Sequence, residues 1–98
     1  MTTIRKLIRA DGTEEDLIGP HAIRDIEQLI GADVLDTVAM RHLGNPLHMM
    51  LVDDMGHSKE LPVNEKATEL YLKNCRPNTF HKIRGDVVIV PDGDYAGA

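Results

Sequence analysis

Two short apolar runs constrain the fold of this chain more than any other feature. One covers residues 47–52 (LHMMLV), and the other covers residues 87–90 (VVIV). Each has the length of a β-strand, and such runs are typical of strands buried inside a sheet. With only 98 residues, the chain has room for one domain built around these strands.

Turn and helix signals organise the first third of the chain. Residues 1–10 predict a strand, and the Asp-Gly pair that follows predicts a two-residue hairpin. Residues 13–18 are polar and acidic, which favours a short second strand at a sheet edge. Residues 21–30 repeat apolar side chains at helical spacing, and Gly31 predicts a left-handed cap that ends this helix.

The remaining segments predict further strands and a second helix. Residues 34–43 favour a strand, and residues 60–63 are expected to add a short one after a polar turn. Asn64 is expected to cap a helix over residues 65–75, because an asparagine side chain accepts hydrogen bonds from the first helical turn.

The predicted order is therefore β-β-α-β-β-(β)-α-β. Short strands and only two helices indicate an α+β fold. We expect a small mixed or antiparallel sheet of four to six strands, with the helices on one face. Residues 1–92 would form a single domain and residues 93–98 a flexible tail.

Charge and composition exclude several classes of protein. Eleven Lys and Arg residues against 16 Asp and Glu residues give a formal charge of −5, which argues against general nucleic-acid binding. No apolar run approaches the roughly 20 residues of a membrane helix. A single cysteine, Cys75, excludes a framework of internal disulfides, so the chain is expected to be cytoplasmic.

A basic segment near the second helix predicts a binding site for an anionic, planar ligand such as a nucleotide. Cations and amides suit phosphate and polar base edges, and an aromatic ring or imidazole can stack on a base. The alternative is a solvated basic face with the aromatic ring turned into the core. The candidate residues are Arg76, Asn78, Thr79, Phe80, His81, Lys82 and Arg84, with Arg41 and Asn64 from nearby strand and helix ends.

Motifs for catalysis, metals and cofactors are not found. There is no GxGxxG, P-loop or CxxC motif, and the five histidines do not form a metal-binding spacing. The spacing of Asp53, Asp54, His57 and Glu60 matches no known metal-binding loop. We therefore expect a protein without catalytic activity, metal or cofactor.

Four short strings carry a resemblance to a known family. They are LVDDxGxxKxLPVN (residues 51–64), ATxLY (67–71), CRPxT (75–79) and GDVVIVPD (85–92). Together they resemble small phage and plasmid proteins of a domain-of-unknown-function family, sometimes fused to antirestriction proteins. Some of those proteins act as oligomeric sponges for nucleotide-derived immune signals of bacteria. The resemblance implies an accessory protein of a mobile element that antagonises host defence, although relatives carry Asn near the Asp53-Asp54 pair.

Two functions remain open at this point. The first is a non-catalytic binder of a nucleotide-like ligand at the basic segment. The second is a protein–protein module that inhibits a host factor, or a homo-oligomer, using an apolar patch of Met49, Met50 and Met55. The alternative for these three methionines is that they fill the core. Pairing of the edge strand at 13–18 with a second copy would build a dimer, and we expect a homo-oligomer.

Overall fold

The structure is a computed structural model that describes residues 4–18, 22–41, 47–73 and 82–92. Within these ranges, five strands form one sheet and two helices pack on it, which confirms the α+β class and the order of the main elements. The predicted tail at 93–98 lies outside the described residues. The strands are β1 (Lys6–Ile8), β2 (Glu14–Asp16), β3 (Leu35–Ala39), β4 (His48–Asp53) and β5 (Val87–Pro91), and the helices are α1 (Ile23–Ile30) and α2 (Glu65–Leu72).

The sheet has the strand order β2-β1-β5-β4-β3, and every neighbouring pair is antiparallel. The two apolar runs form the adjacent strands β4 and β5, with Met50 opposite Ile89 and Leu51 opposite Val88. All four of these side chains are buried. The prediction of buried central strands is confirmed, and β2 lies at a sheet edge as expected.

The two helices pack on opposite faces of the sheet, so the prediction of both helices on one face is wrong. Ile26 of α1 packs with Leu51 and Val88, whereas Ala67 of α2 belongs to the cluster around Met50. Successive side chains of a strand point to opposite faces. The buried strands therefore supply a core to each helix, giving three layers.

The first hairpin has a three-residue loop rather than the predicted two-residue turn. The Arg9 N–H donates to Thr13 O over 2.8 Å, while the Gly12 N–H donates back to Arg9 O over 3.0 Å. Gly12 has φ +95°, a backbone conformation that favours glycine. A turn followed by a left-handed glycine is typical of three-residue hairpin loops.

The predicted short strand at 60–63 is reduced to a single bridge between Val63 and Arg84. The cap of α1 follows the prediction, because Gly31 has φ +68° and its N–H donates to Glu27 O.

Asn64 caps α2 as predicted and also joins three elements. Its side-chain oxygen accepts from the Ala67 N–H over 3.0 Å. Its amide nitrogen donates to Ile8 O of β1 over 3.0 Å and to Gly85 O over 2.9 Å. The residue is fully buried, so these bonds replace the water that its amide would otherwise contact.

Replacing Asn64 by Ala is expected to destabilise the fold by about 3 kcal/mol, since two buried carbonyls and one helix N–H lose their partner. Urea denaturation of the two proteins measures this difference. Asn64→Ser is the matched control, because its hydroxyl oxygen keeps a cap acceptor while the amide that donates the two other bonds is removed. A loss below about 1 kcal/mol for Asn64→Ala would contradict this assignment.

Candidate functional site

A cleft of about 360 Å³ opens on the α2 face, between α2 and the edge strand β3. Its volume falls within the range of about 300–1,000 Å³ typical of small-molecule sites. The cleft combines apolar walls with cations, carboxylates and one aromatic ring. Its lining residues are Asp36, Val38, Val52, Asp53, Asp54, Gly56, His57, Tyr71, Lys82, Ile83 and Arg84.

Residues 82–85 are held against α2 by backbone contacts. The Ile83 N–H donates to the Thr68 hydroxyl over 3.0 Å, and Ile83 O accepts from the Asn64 N–H over 2.8 Å. Both partners, Asn64 at the start of α2 and Thr68 within it, are buried. This anchoring places Lys82 and Arg84 on either side of a buried residue, at the wall of the cleft.

The Arg84 side chain is fixed by the preceding loop. Its Nη1 donates to Leu61 O over 3.0 Å, which uses one of the several N–H groups that a guanidinium offers. Gly56 lies against the same backbone, because a Cβ at this position would lie 3.1 Å from Arg84 O. A side chain at position 56 would therefore require the loop and the backbone of Arg84 to move apart by a few tenths of an ångström.

The charges of the cleft are mixed. Lys82 is exposed and Arg84 is partly buried, and both are cationic at neutral pH. Asp36 and Asp54 are exposed carboxylates that also line the cleft, and one Asp36 oxygen accepts from the Thr37 N–H over 2.9 Å. A ligand that fits this cleft would carry an anionic group together with hydrogen-bond donors.

An ion pair at the end of β4 fixes the loop that carries Gly56 and His57. The Asp53 carboxylate is 1% exposed, accepts from the Met55 N–H over 2.8 Å and from Lys59 Nζ over 2.8 Å. Lys59 also donates to Gly31 O at the end of α1 over 3.3 Å. The hydrogen bond to Asp53 raises the pKa of Lys59 above its ordinary value.

Of the predicted site residues that lie within the described ranges, Lys82 and Arg84 are the two that line the cleft. Asn64 is buried, and its amide is used by the protein, so it positions residues 82–85 rather than facing a ligand. Arg41 is exposed beyond β3 and is not among the residues that line the cleft. The other candidates, Arg76, Asn78, Thr79, Phe80 and His81, lie outside the described residues.

Tyr71 and Asp36 line the cleft but were not predicted from sequence. Tyr71 follows the apolar side of α2, and Asp36 occupies a polar position in a strand, so neither pattern points to a site. Only the packing of α2 beside β3 brings the ring and the carboxylate to one cavity.

Within the described ranges, no group of three or more His, Cys, Asp or Glu side chains is arranged to hold a metal ion. Neither described helix has the length and apolar character needed to cross a membrane. Comparisons with protein-family models, curated proteins and solved structures find no match to this chain.

Replacing Lys59 by Met is expected to lower the thermal unfolding midpoint, since the Asp53 carboxylate would stay buried without its cation. Because the pKa of Lys59 is raised, the pair stabilises fully below the ordinary value of 10.5. This stabilisation is lost as pH rises through the higher folded-state pKa.

The difference in thermal unfolding midpoint between wild type and Lys59→Met should therefore stay constant near neutral pH and become smaller above pH 10.5. Thermal unfolding followed by circular dichroism measures this difference. A double variant, Asp53→Asn with Lys59→Met, removes both charges and serves as the control. A difference that did not change across this pH range would rule out a stabilising ion pair.

Proposed function

We propose that the protein is a non-catalytic binder of a small nucleotide-like ligand at the cleft beside α2. The observation that carries the proposal is the position of Lys82 and Arg84 on one cavity with the Tyr71 ring. Cationic side chains recognise phosphate, and an aromatic side chain provides a surface on which a base stacks.

The carboxylates of the cleft narrow the class of ligand. Asp36 and Asp54 line the cleft together with the two cations, and the third carboxylate, Asp53, is paired with Lys59, so the net charge of the cleft is close to zero. Carboxylates accept hydrogen bonds from sugar hydroxyls and from exocyclic amines. A nucleoside monophosphate has one compact anionic group and several such donors, and it fits this arrangement better than a triphosphate.

The binding role agrees with the resemblance to mobile-element proteins that sequester nucleotide-derived signals. Binding without turnover suits such a role, because a sponge needs affinity for its ligand and no reaction. We therefore propose an accessory protein of a mobile element that acts on host defence by capturing a ligand.

Titration of the ¹⁵N-labelled protein with the four common nucleoside 5′-monophosphates tests the proposal. We expect amide shifts at residues 82–84 and at Tyr71. Lys82→Gln and Arg84→Gln should each weaken binding by roughly tenfold, because each removes a charged hydrogen bond to phosphate.

Lys66→Gln is the matched control for this titration, because Lys66 is an exposed lysine of α2 that does not line the cleft. The affinity of the Lys66→Gln variant for each nucleotide should equal that of the wild type. If none of the four nucleotides shifts the cleft resonances at millimolar concentration, the proposed function is wrong.

An exposed apolar patch of Met55 and Val34 supports a second candidate function in protein–protein interaction. Met55 is 42% exposed and Val34 is 51% exposed, and the intervening Asp54 N–H donates to Val34 O over 3.0 Å. Met50 belongs to the buried core, in agreement with the core-filling interpretation, and cannot contribute to this patch. Met49 is partly buried.

If this patch joins copies of the chain, Met55→Asp should convert an oligomer into a monomer in light scattering after size-exclusion chromatography. Self-pairing of β2 is disfavoured, because its three residues are all acidic and would face their own copies. An unchanged mass for Met55→Asp would exclude an interface centred on Met55.

A further inference from the structure

A second cavity lies on the other side of α2, between this helix and the β1–β2 hairpin. Its volume is about 310 Å³, near the lower end of the range for small-molecule sites. The lining is mainly apolar and is formed by Ile4 and Ile8 from the β1 region, Ile89 from β5 and Leu70 from α2. It shares none of its lining residues with the cleft beside β3.

Two lysines from different elements meet at the rim of this groove. Lys6 of β1 lies 3.1 Å from a Glu14 carboxylate oxygen, and Lys66 of α2 pairs with the same carboxylate. The hydrogen bonds from Lys66 and Lys6 lower the pKa of Glu14 below its ordinary value. The rim is therefore already a place where a carboxylate is held between two ammonium groups.

The rim also carries an excess of positive charge. Lys6 and Lys66 share one carboxylate, and Lys73 and Glu69 complete the charged residues of the lining. Three lysines against two glutamates leave one positive charge beside an apolar floor. A ligand complementary to this groove has an apolar chain and one anionic head.

We propose that this groove binds a medium-chain fatty acid, with its carboxylate beside Lys6 and Lys66 and its alkyl chain over Ile8, Leu70 and Ile89. Burial of the chain removes apolar surface from water. The long lysine side chains cover apolar surface while keeping their charge at the rim. This inference does not depend on the proposed function, because the two cavities have separate linings.

Isothermal titration with decanoate, kept below the concentration at which it forms micelles, tests the site. Lys66→Gln should weaken binding by roughly tenfold, since one of the two ammonium partners is removed. Lys82→Gln is the matched control and should leave decanoate affinity unchanged. The same pair of variants is expected to give the opposite pattern with nucleotides.

Glu14→Gln distinguishes a ligand site from a structural ion pair. If a ligand carboxylate shares Lys6 and Lys66 with Glu14, removing the Glu14 charge should strengthen decanoate binding several-fold. If the cluster has only a structural role, Glu14→Gln would leave decanoate affinity unchanged or reduce it, and the proposal would be wrong. Circular dichroism of each variant checks that the fold is retained.

Two further ligands separate the recognition of the head group from that of the chain. Decanol has the same chain without a carboxylate and should bind at least about tenfold more weakly than decanoate. Equal affinity for decanol and decanoate would overturn the proposal, because the lysines would then make no favourable contact with the carboxylate. Binding to phosphatidylglycerol vesicles without binding to monomeric decanoate would indicate a membrane surface instead and would also overturn it.

Discussion

The hydrogen bonds of the buried Asn64 side chain are the interaction on which most of this structure depends. One amide completes the first turn of α2 and also bonds Ile8 O in β1 and Gly85 O before β5. A buried amide that loses a hydrogen-bond partner lowers the stability of the fold. A shift of α2 would break the bonds to both Ile8 O and Gly85 O. The helix is short, and its buried residues are only Ala67 and Thr68. Leu70 and Tyr71 also pack against the core, so polar contacts and apolar packing together fix the position of the helix.

The small size of α2 explains why this face of the sheet has cavities on both sides of the helix. An eight-residue helix lies over a five-stranded sheet and leaves the outer strands partly uncovered. Towards β3 the uncovered space meets the charged loops, including Lys82 and Arg84. Towards β1 it meets isoleucines and lysine side chains. One helix thus separates two cavities, and the one towards β3 has the larger polar share in its lining.

The sequence predicts most local features of this fold, apart from the length of the first hairpin loop and the strand at 60–63, and fails where distant residues meet. The strands, the Gly31 cap and the Asn64 cap depend on neighbouring residues, and all were predicted. The VVIV run also contained a signal that the one-face arrangement overlooked, because a strand apolar on both sides needs a cover on each face. Asp53 and Lys59 lie in a polar stretch typical of a solvated turn. In the structure the Asp53 carboxylate is nevertheless buried, and Lys59 also contacts Gly31 O at the end of α1. The cleft likewise needs Tyr71 and Asp36 to be brought together by packing that no local pattern contains.

The pairing of β1 with β5 has a consequence for the order in which the chain can fold during synthesis. Strand β5 lies between β1 and β4, so the hairpin β1–β2 and the pair β3–β4 are joined in the sheet only through β5. Until residue 91 leaves the ribosome, Leu7 and Leu51 each lack the neighbour Val88 that lies between them in the finished sheet. Closing such distant contacts is slow in small domains. Before β5 is inserted, the facing edges of β1 and β4 are therefore unpaired, and the sheet closes only when its last strand lies between them.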